Sequence, residues 1–90
     1  MESRCSIPVQ VLSLCGTDGR IQPIRFRLED EAHQLQTVAV RQVVSASEVQ
    51  YAGVEALVFL CRGEFGGRER LFELRYAIRT HRWVLLRVIC

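Results

Sequence analysis

Apolar residues recur at every second position through most of the chain, and short clusters of Gly, Asp, Glu and Ser interrupt the runs. A period of two places successive side chains on opposite faces, which is the signature of a strand. In residues 7–14, Ile7, Val9 and Val11 share one face, and Leu12 and Leu14 begin the other. Residues 21–28 alternate cleanly, with Ile24, Phe26 and Leu28 predicted inward and Arg25 and Arg27 outward. Pro23 has no N–H for a ladder, so this strand starts at an edge or at a bulge. Residues 56–62 are almost continuously apolar and predict a central strand. Residues 68–76 place Phe72, Leu74 and Tyr76 on one side. In residues 82–89, Trp83, Leu85 and Ile89 oppose Val84, Leu86 and Val88, so both faces are apolar.

Turn residues divide these runs. Asp18-Gly19 is a hairpin signal, Glu29, Asp30 and Glu31 form an acidic turn, and Arg79, Thr80 and His81 precede the last run. Residues 63–67, with Gly63, Gly66 and Gly67, read as one hairpin loop. Residues 33–44 carry mixed signals. Ala32, Leu35, Ala39 and Val43 lie near helical spacing, but Thr37, Val38, Val40, Val43 and Val44 are β-branched and favour a strand. Ser45-Ala46-Ser47-Glu48 has the form of a capping box, and Gly53 follows as a candidate C-terminal cap. Residues 46–52 are therefore expected to form a short helix. The sum is an all-β fold: a small antiparallel barrel-like domain of five to six strands with one short helix. A two-sheet β-sandwich is the alternative.

Ninety residues make one domain, and 49% of them are apolar. A chain of this length buries only ~60–65% of its unfolded surface, so its core has little margin. No apolar run approaches the ~18–20 residues of a membrane span. The run at residues 7–14 is broken by Pro8, Gln10 and Ser13, and it does not read as a secretory signal. A lipoprotein box at residues 12–15 is spoiled by Leu14. The expected setting is cytoplasmic, with no membrane partner.

The cations are all arginine: twelve of them, with no lysine. Net charge is only +2, because ten carboxylates offset them. Arginine suits phosphate and base stacking, and it is equally what a GC-rich genome supplies for every cation. The four cysteines, Cys5, Cys15, Cys61 and Cys90, show no close pair and no neighbouring His of the kind structural zinc needs. Cys15 and Cys61 read as small packing residues, and Cys5 and Cys90 as free thiols at the ends.

One block of residues, Asp18-Gly19-Arg20-Ile21, Pro23-Ile24, Phe26 and Glu29-Asp30, is followed in order by Val40-Arg41, residues 46–53, Cys61-Arg62, Arg68-Glu69, Leu71-Phe72 and Trp83. Over residues 18–84 this resembles a family of short bacterial proteins of all-β type with no assigned activity. The chain departs from that pattern at Glu31, where the family has Gly, and in a longer segment between Phe72 and Trp83. The resemblance implies a small β-domain in a bacterial cytoplasm and brings no catalytic residues.

Candidate chemistry is sparse. His33 and His81 lie beside predicted turns with no nucleophile or carboxylate pair spaced for catalysis. The acidic turn lacks the spaced oxygens of a calcium loop. The glycines at 63–67 are followed by neither the helix nor the Lys-Ser/Thr of a phosphate loop. No catalytic residue, metal, cofactor or small-molecule substrate is expected. Two binding readings remain. The apolar strand at 82–89 predicts association with a protein partner or a second copy through Val84, Leu86 and Val88, giving a homo-oligomer. Arg25 and Arg27 on one strand, with Arg68 and Arg70 on another, are the candidate polyanion-binding residues of a small barrel that holds single-stranded RNA or DNA. Phe65 and Tyr51 are the aromatics placed to stack there.

Overall fold

The period-two pattern is realised as seven antiparallel strands: β1 (Glu2–Cys15), β2 (Ile21–Glu29), β3 (Leu35–Ala39), β4 (Gln42–Tyr51), β5 (Val54–Phe65), β6 (Arg68–Ala77) and β7 (Arg82–Ile89). The computed structural model describes the backbone of residues 2–29 and 32–89, and the side chains of these apart from residues 2–5 and 51. The middle of the acidic turn, the thiols of Cys5 and Cys90, and the Tyr51 ring lie outside the described residues.

The strands form one sheet in the order β3-β2-β1-β7-β6-β5-β4, curled into a half-barrel. One sheet replaces the two of the sandwich alternative. β1 serves both halves: its residues up to Val9 pair with β7, and those from Gln10 onward pair with β2. At the far ends, β3 and β4 are joined by Val40 and Arg41 alone. The Val40 N–H donates to the Ile24 carbonyl and the Arg41 N–H to the Arg62 carbonyl, each at 2.8 Å. The two outermost strands thus meet at one corner and diverge from it.

Three expectations are corrected. Residues 46–52 are not a helix: residues 46–51 belong to β4 and pair with β5, and Ala52 enters the turn that follows. A seven-residue helix is far below the ~12–15 residues that an isolated helix needs. Pairing with the apolar β5 satisfies this backbone instead, and the capping-box signal is overridden. The tight turn that follows uses Ala52 and Gly53, both at positive φ (52° and 81°). Residues 33–44 are not one strand, because the corner at Val40–Arg41 divides β3 from β4. Seven strands therefore replace the five to six expected. The third correction shortens a loop: Gly63 lies inside β5, and the hairpin turns on Gly66 and Gly67 alone. Both of those glycines take positive φ (64° and 79°), as a two-residue turn requires.

The core lies on the inner face of the curl. Phe26, Val38, Phe59, Cys61, Phe72, Leu74, Tyr76, Trp83 and Leu85 form one buried cluster, and Val9, Val11, Leu28 and Phe65 pack against it. Phe72 stands edge-on to Phe26 with ring centroids 5.3 Å apart, and Tyr76 lies 4.8 Å from Trp83. The expected inward set is largely this cluster, Ile24 excepted. Ile24 is the extra residue where the β1–β2 register slips, and it faces outward. Its neighbour Pro23 is buried in its place; of the edge or bulge expected at Pro23, the bulge is the one found beside it. Among the described residues there is no helix, and so none long and apolar enough to cross a membrane.

Candidate interaction surfaces

The outer face of β5, β6 and β7 is built by register. Val58 sits opposite Arg75, which sits opposite Val84, and Leu60 sits opposite Glu73, which sits opposite Arg87. These residues alternate with Phe59, Leu74 and Leu85 of the core, so they point away from it. A solvent-facing sheet surface normally carries polar residues at such positions. Here Val58, Leu60, Leu71, Val84 and Leu86 are apolar and half-buried. Between them the Arg87 guanidinium donates to the Glu73 carboxylate in a partly buried ion pair.

A register slip in β7 decides which residues belong to this face. Leu85 pairs with Leu74 and Arg87 with Glu73, which leaves Leu86 as the extra residue of a bulge. One inserted residue reverses the faces beyond it. Val88 therefore pairs with Phe72 and packs on the core, whereas Ile89 pairs with Leu71 on the outside. Of the three predicted contact residues, Val84 and Leu86 share the outer face and Val88 does not. Strict alternation groups Ile89 with Trp83 and Leu85, and Val88 with Val84 and Leu86, and nothing in the sequence marks the bulge.

The four candidate polyanion-binding arginines do not form one surface. Arg25 and Arg27 flank the buried Phe26 and are exposed on the outer face of β2, beside Gln10, Leu12 and Thr37 in a shallow groove. Neither forms an ion pair among the described residues. Arg70 shares its register with Phe72 and sits opposite Gly63, on the inner side of the rim. Its Nε is buried with no hydrogen-bond partner among the described residues. Arg68 sits opposite Phe65 at the hairpin end, and the Phe65 ring is turned toward Phe26 and Phe72. Phe65 is therefore core rather than a stacking platform. The neighbouring carboxylates neutralise several arginines across strands: Arg41 lies 3.3 Å from Glu64 and Arg62 lies 3.9 Å from Glu69.

Both histidines have partners. His33 Nδ1 lies 2.8 Å from Glu29 Oε1 on the exposed surface. His81 Nδ1 lies 2.6 Å from the Tyr76 hydroxyl, at an open cleft where β1 leaves β7. The Tyr76 and Trp83 rings beneath that cleft are almost entirely buried, so they offer little area to a ligand. Cys61 is wholly buried, and burial pushes its thiol up to about 12. Its S–H points to the Phe59 carbonyl, and it is a packing residue, as expected. Cys15, by contrast, is exposed rather than packed. Among the described residues no three His, Cys, Asp or Glu side chains gather as a metal site. No protein-family model, curated protein or solved structure matches the chain.

Proposed function

We propose that this protein is a non-catalytic interaction module that associates with a second copy of itself through the outer face of β5, β6 and β7. The carrying observation is the apolar stripe of Val58, Leu60, Val84 and Leu86 on a face that a solitary sheet would leave polar. The Glu73–Arg87 pair supplies specificity on that stripe, since a docked surface desolvates it further and must leave its geometry intact.

Leu86→Glu is the test. Its side chain already faces outward at a bulge, so the variant is expected to fold with an unchanged circular-dichroism spectrum and to lose association. Sedimentation velocity on wild type and variant reads the change in mass. A wild type that sediments as a monomer at its highest soluble concentration overturns the reading.

A second reading rests on the exposed pair Arg25 and Arg27, whose spacing on one strand places two guanidinium groups with no ion-pair partner among the described residues on the same outer surface. Single-stranded nucleic acid held there would be released steeply by salt. Fluorescence anisotropy with short RNA and DNA, at low and moderate salt, tests it against the double variant Arg25→Glu, Arg27→Glu. Equal binding by the double variant removes the pair from any such role.

A further inference from the structure

We infer that the free edge of β4 is a strand-addition surface, and that its occupant is β4 of a second copy, paired antiparallel about a two-fold axis at Ser47. This extends the self-association reading to a different surface. Of the sheet's two terminal strands, β3 has five residues, a length that by itself protects an edge, and β4 has ten. β4 pairs with β5 alone, so alternate backbone N–H and C=O groups along it point away from the sheet. Edges are usually defended by lysine, proline or inward charge. β4 carries no proline and no cation; its single charge, Glu48, takes one inner-face position opposite Leu57, and its bulge is confined to Val44 at the start of the strand.

The sequence of β4 selects both partner and direction. Its register slip falls between Val43 and Ser45, so the stretch from Ser45 onward is regular. Ser45, Ala46, Ser47 and Glu48 are all exposed, and three of them are small enough for a second strand to approach closely. A parallel arrangement in register sets Glu48 against Glu48, which is destabilising. An antiparallel arrangement centred on Ser47 sets Glu48 against Ala46, Val49 against Ser45 and Ser47 against its own copy. No like charges meet, and the serine pair can exchange a hydrogen bond. A two-fold axis normal to the sheet also keeps the outer faces of both copies on the same side. The two apolar stripes then lie next to each other. With the face and the edge both in use, each copy has two neighbours, and the assembly grows beyond a dimer.

The test exploits the self-opposed position. Ser47→Lys sets lysine against lysine and Ser47→Glu sets glutamate against glutamate. Both side chains lie on an exposed position, so the fold is retained, as circular dichroism will check. Each variant alone is expected to sediment with a lower mass than wild type, and an equimolar mixture is expected to recover the wild-type mass, because lysine then meets glutamate. Masses unchanged in either variant, or no recovery on mixing, overturn the edge pairing. Leu86→Glu separates this from the face reading. If Leu86→Glu lowers the mass and Ser47→Lys does not, the face stands and the edge falls. If Ser47→Lys lowers the mass and Leu86→Glu does not, the edge stands and the face falls. A monomeric wild type overturns both.

Discussion

Gly63→Ala is expected to destabilise the protein by about 3 kcal/mol, although it adds a single methyl group. A Cβ at this position would lie 2.3 Å from the Ala39 carbonyl oxygen and 3.2 Å from the Phe72 ring. The first neighbour is backbone and cannot rotate away. It belongs to β3, at the corner where that strand reaches β5. To admit the methyl group, β3 must shift, and the shift strains the Val40–Ile24 and Arg41–Arg62 hydrogen bonds that hold the corner. Overpacking a well-filled site costs ~1–3 kcal/mol, and each weakened backbone bond adds ~1 kcal/mol. For a domain of this size the midpoint of thermal unfolding falls by roughly 15 °C. Gly66→Ala serves as the comparison, because there a Cβ meets no atom within 4 Å and only the positive φ opposes it. Equal melting temperatures for Gly63→Ala and wild type would mean that β3 does not close onto β5 in solution.

Gly63 also marks the limit of what the sequence discloses. The all-β class was legible, because alternation over 21–28, 68–76 and 82–85 puts Phe26, Phe72, Leu74, Tyr76, Trp83 and Leu85 on one face with no knowledge of partners. The Asp18-Gly19 turn was legible too, since the Asp18 carboxylate accepts from the Arg20 N–H within the turn itself. Both signals are local. What escaped is set by contacts between distant residues. Gly63 reads as a loop glycine until Ala39 is known to lie against it. Residues 46–52 read as a helix until β5 is known to offer its edge. The bulges at Ile24, Val44 and Leu86 each insert one residue, which leaves composition untouched and reverses every face beyond it. The candidate site inherited these errors in proportion. In β7, Val84 and Leu86 precede the inversion and lie on the outer face, and Val88 follows it and lies on the inner one. The four candidate arginines, named on two strands, share no surface, because Arg70 shares its register with Phe72 and belongs to the inner side.

Phe72→Ala is expected to be the most damaging truncation in the core, at about 3–5 kcal/mol. Its ring is fully buried. It comes from β6, in the five-strand half of the sheet, and meets Phe26 from β2, in the other half. The two halves share only β1 and the Val40–Arg41 corner, so contacts across the inner face keep the sheet curled. Removing the ring leaves a cavity bordered by Phe26, Phe65 and Cys61. Those neighbours cannot collapse into it without flattening the curl, which is why the cost sits high in its range. It also removes two aromatic contacts, each worth ~0.5–1.5 kcal/mol beyond burial. Total stability for 90 residues is of the order of 5–13 kcal/mol, so one substitution removes a large share of it. Leu14→Ala is the contrast: that side chain is 59% exposed, and its loss is expected to cost under ~0.5 kcal/mol. Urea unfolding of the three proteins, followed by Trp83 fluorescence, measures both differences. A Phe72→Ala protein with wild-type stability would show that the inner face is not closed around this ring. The half-barrel would then be held by β1 and the Val40–Arg41 corner alone.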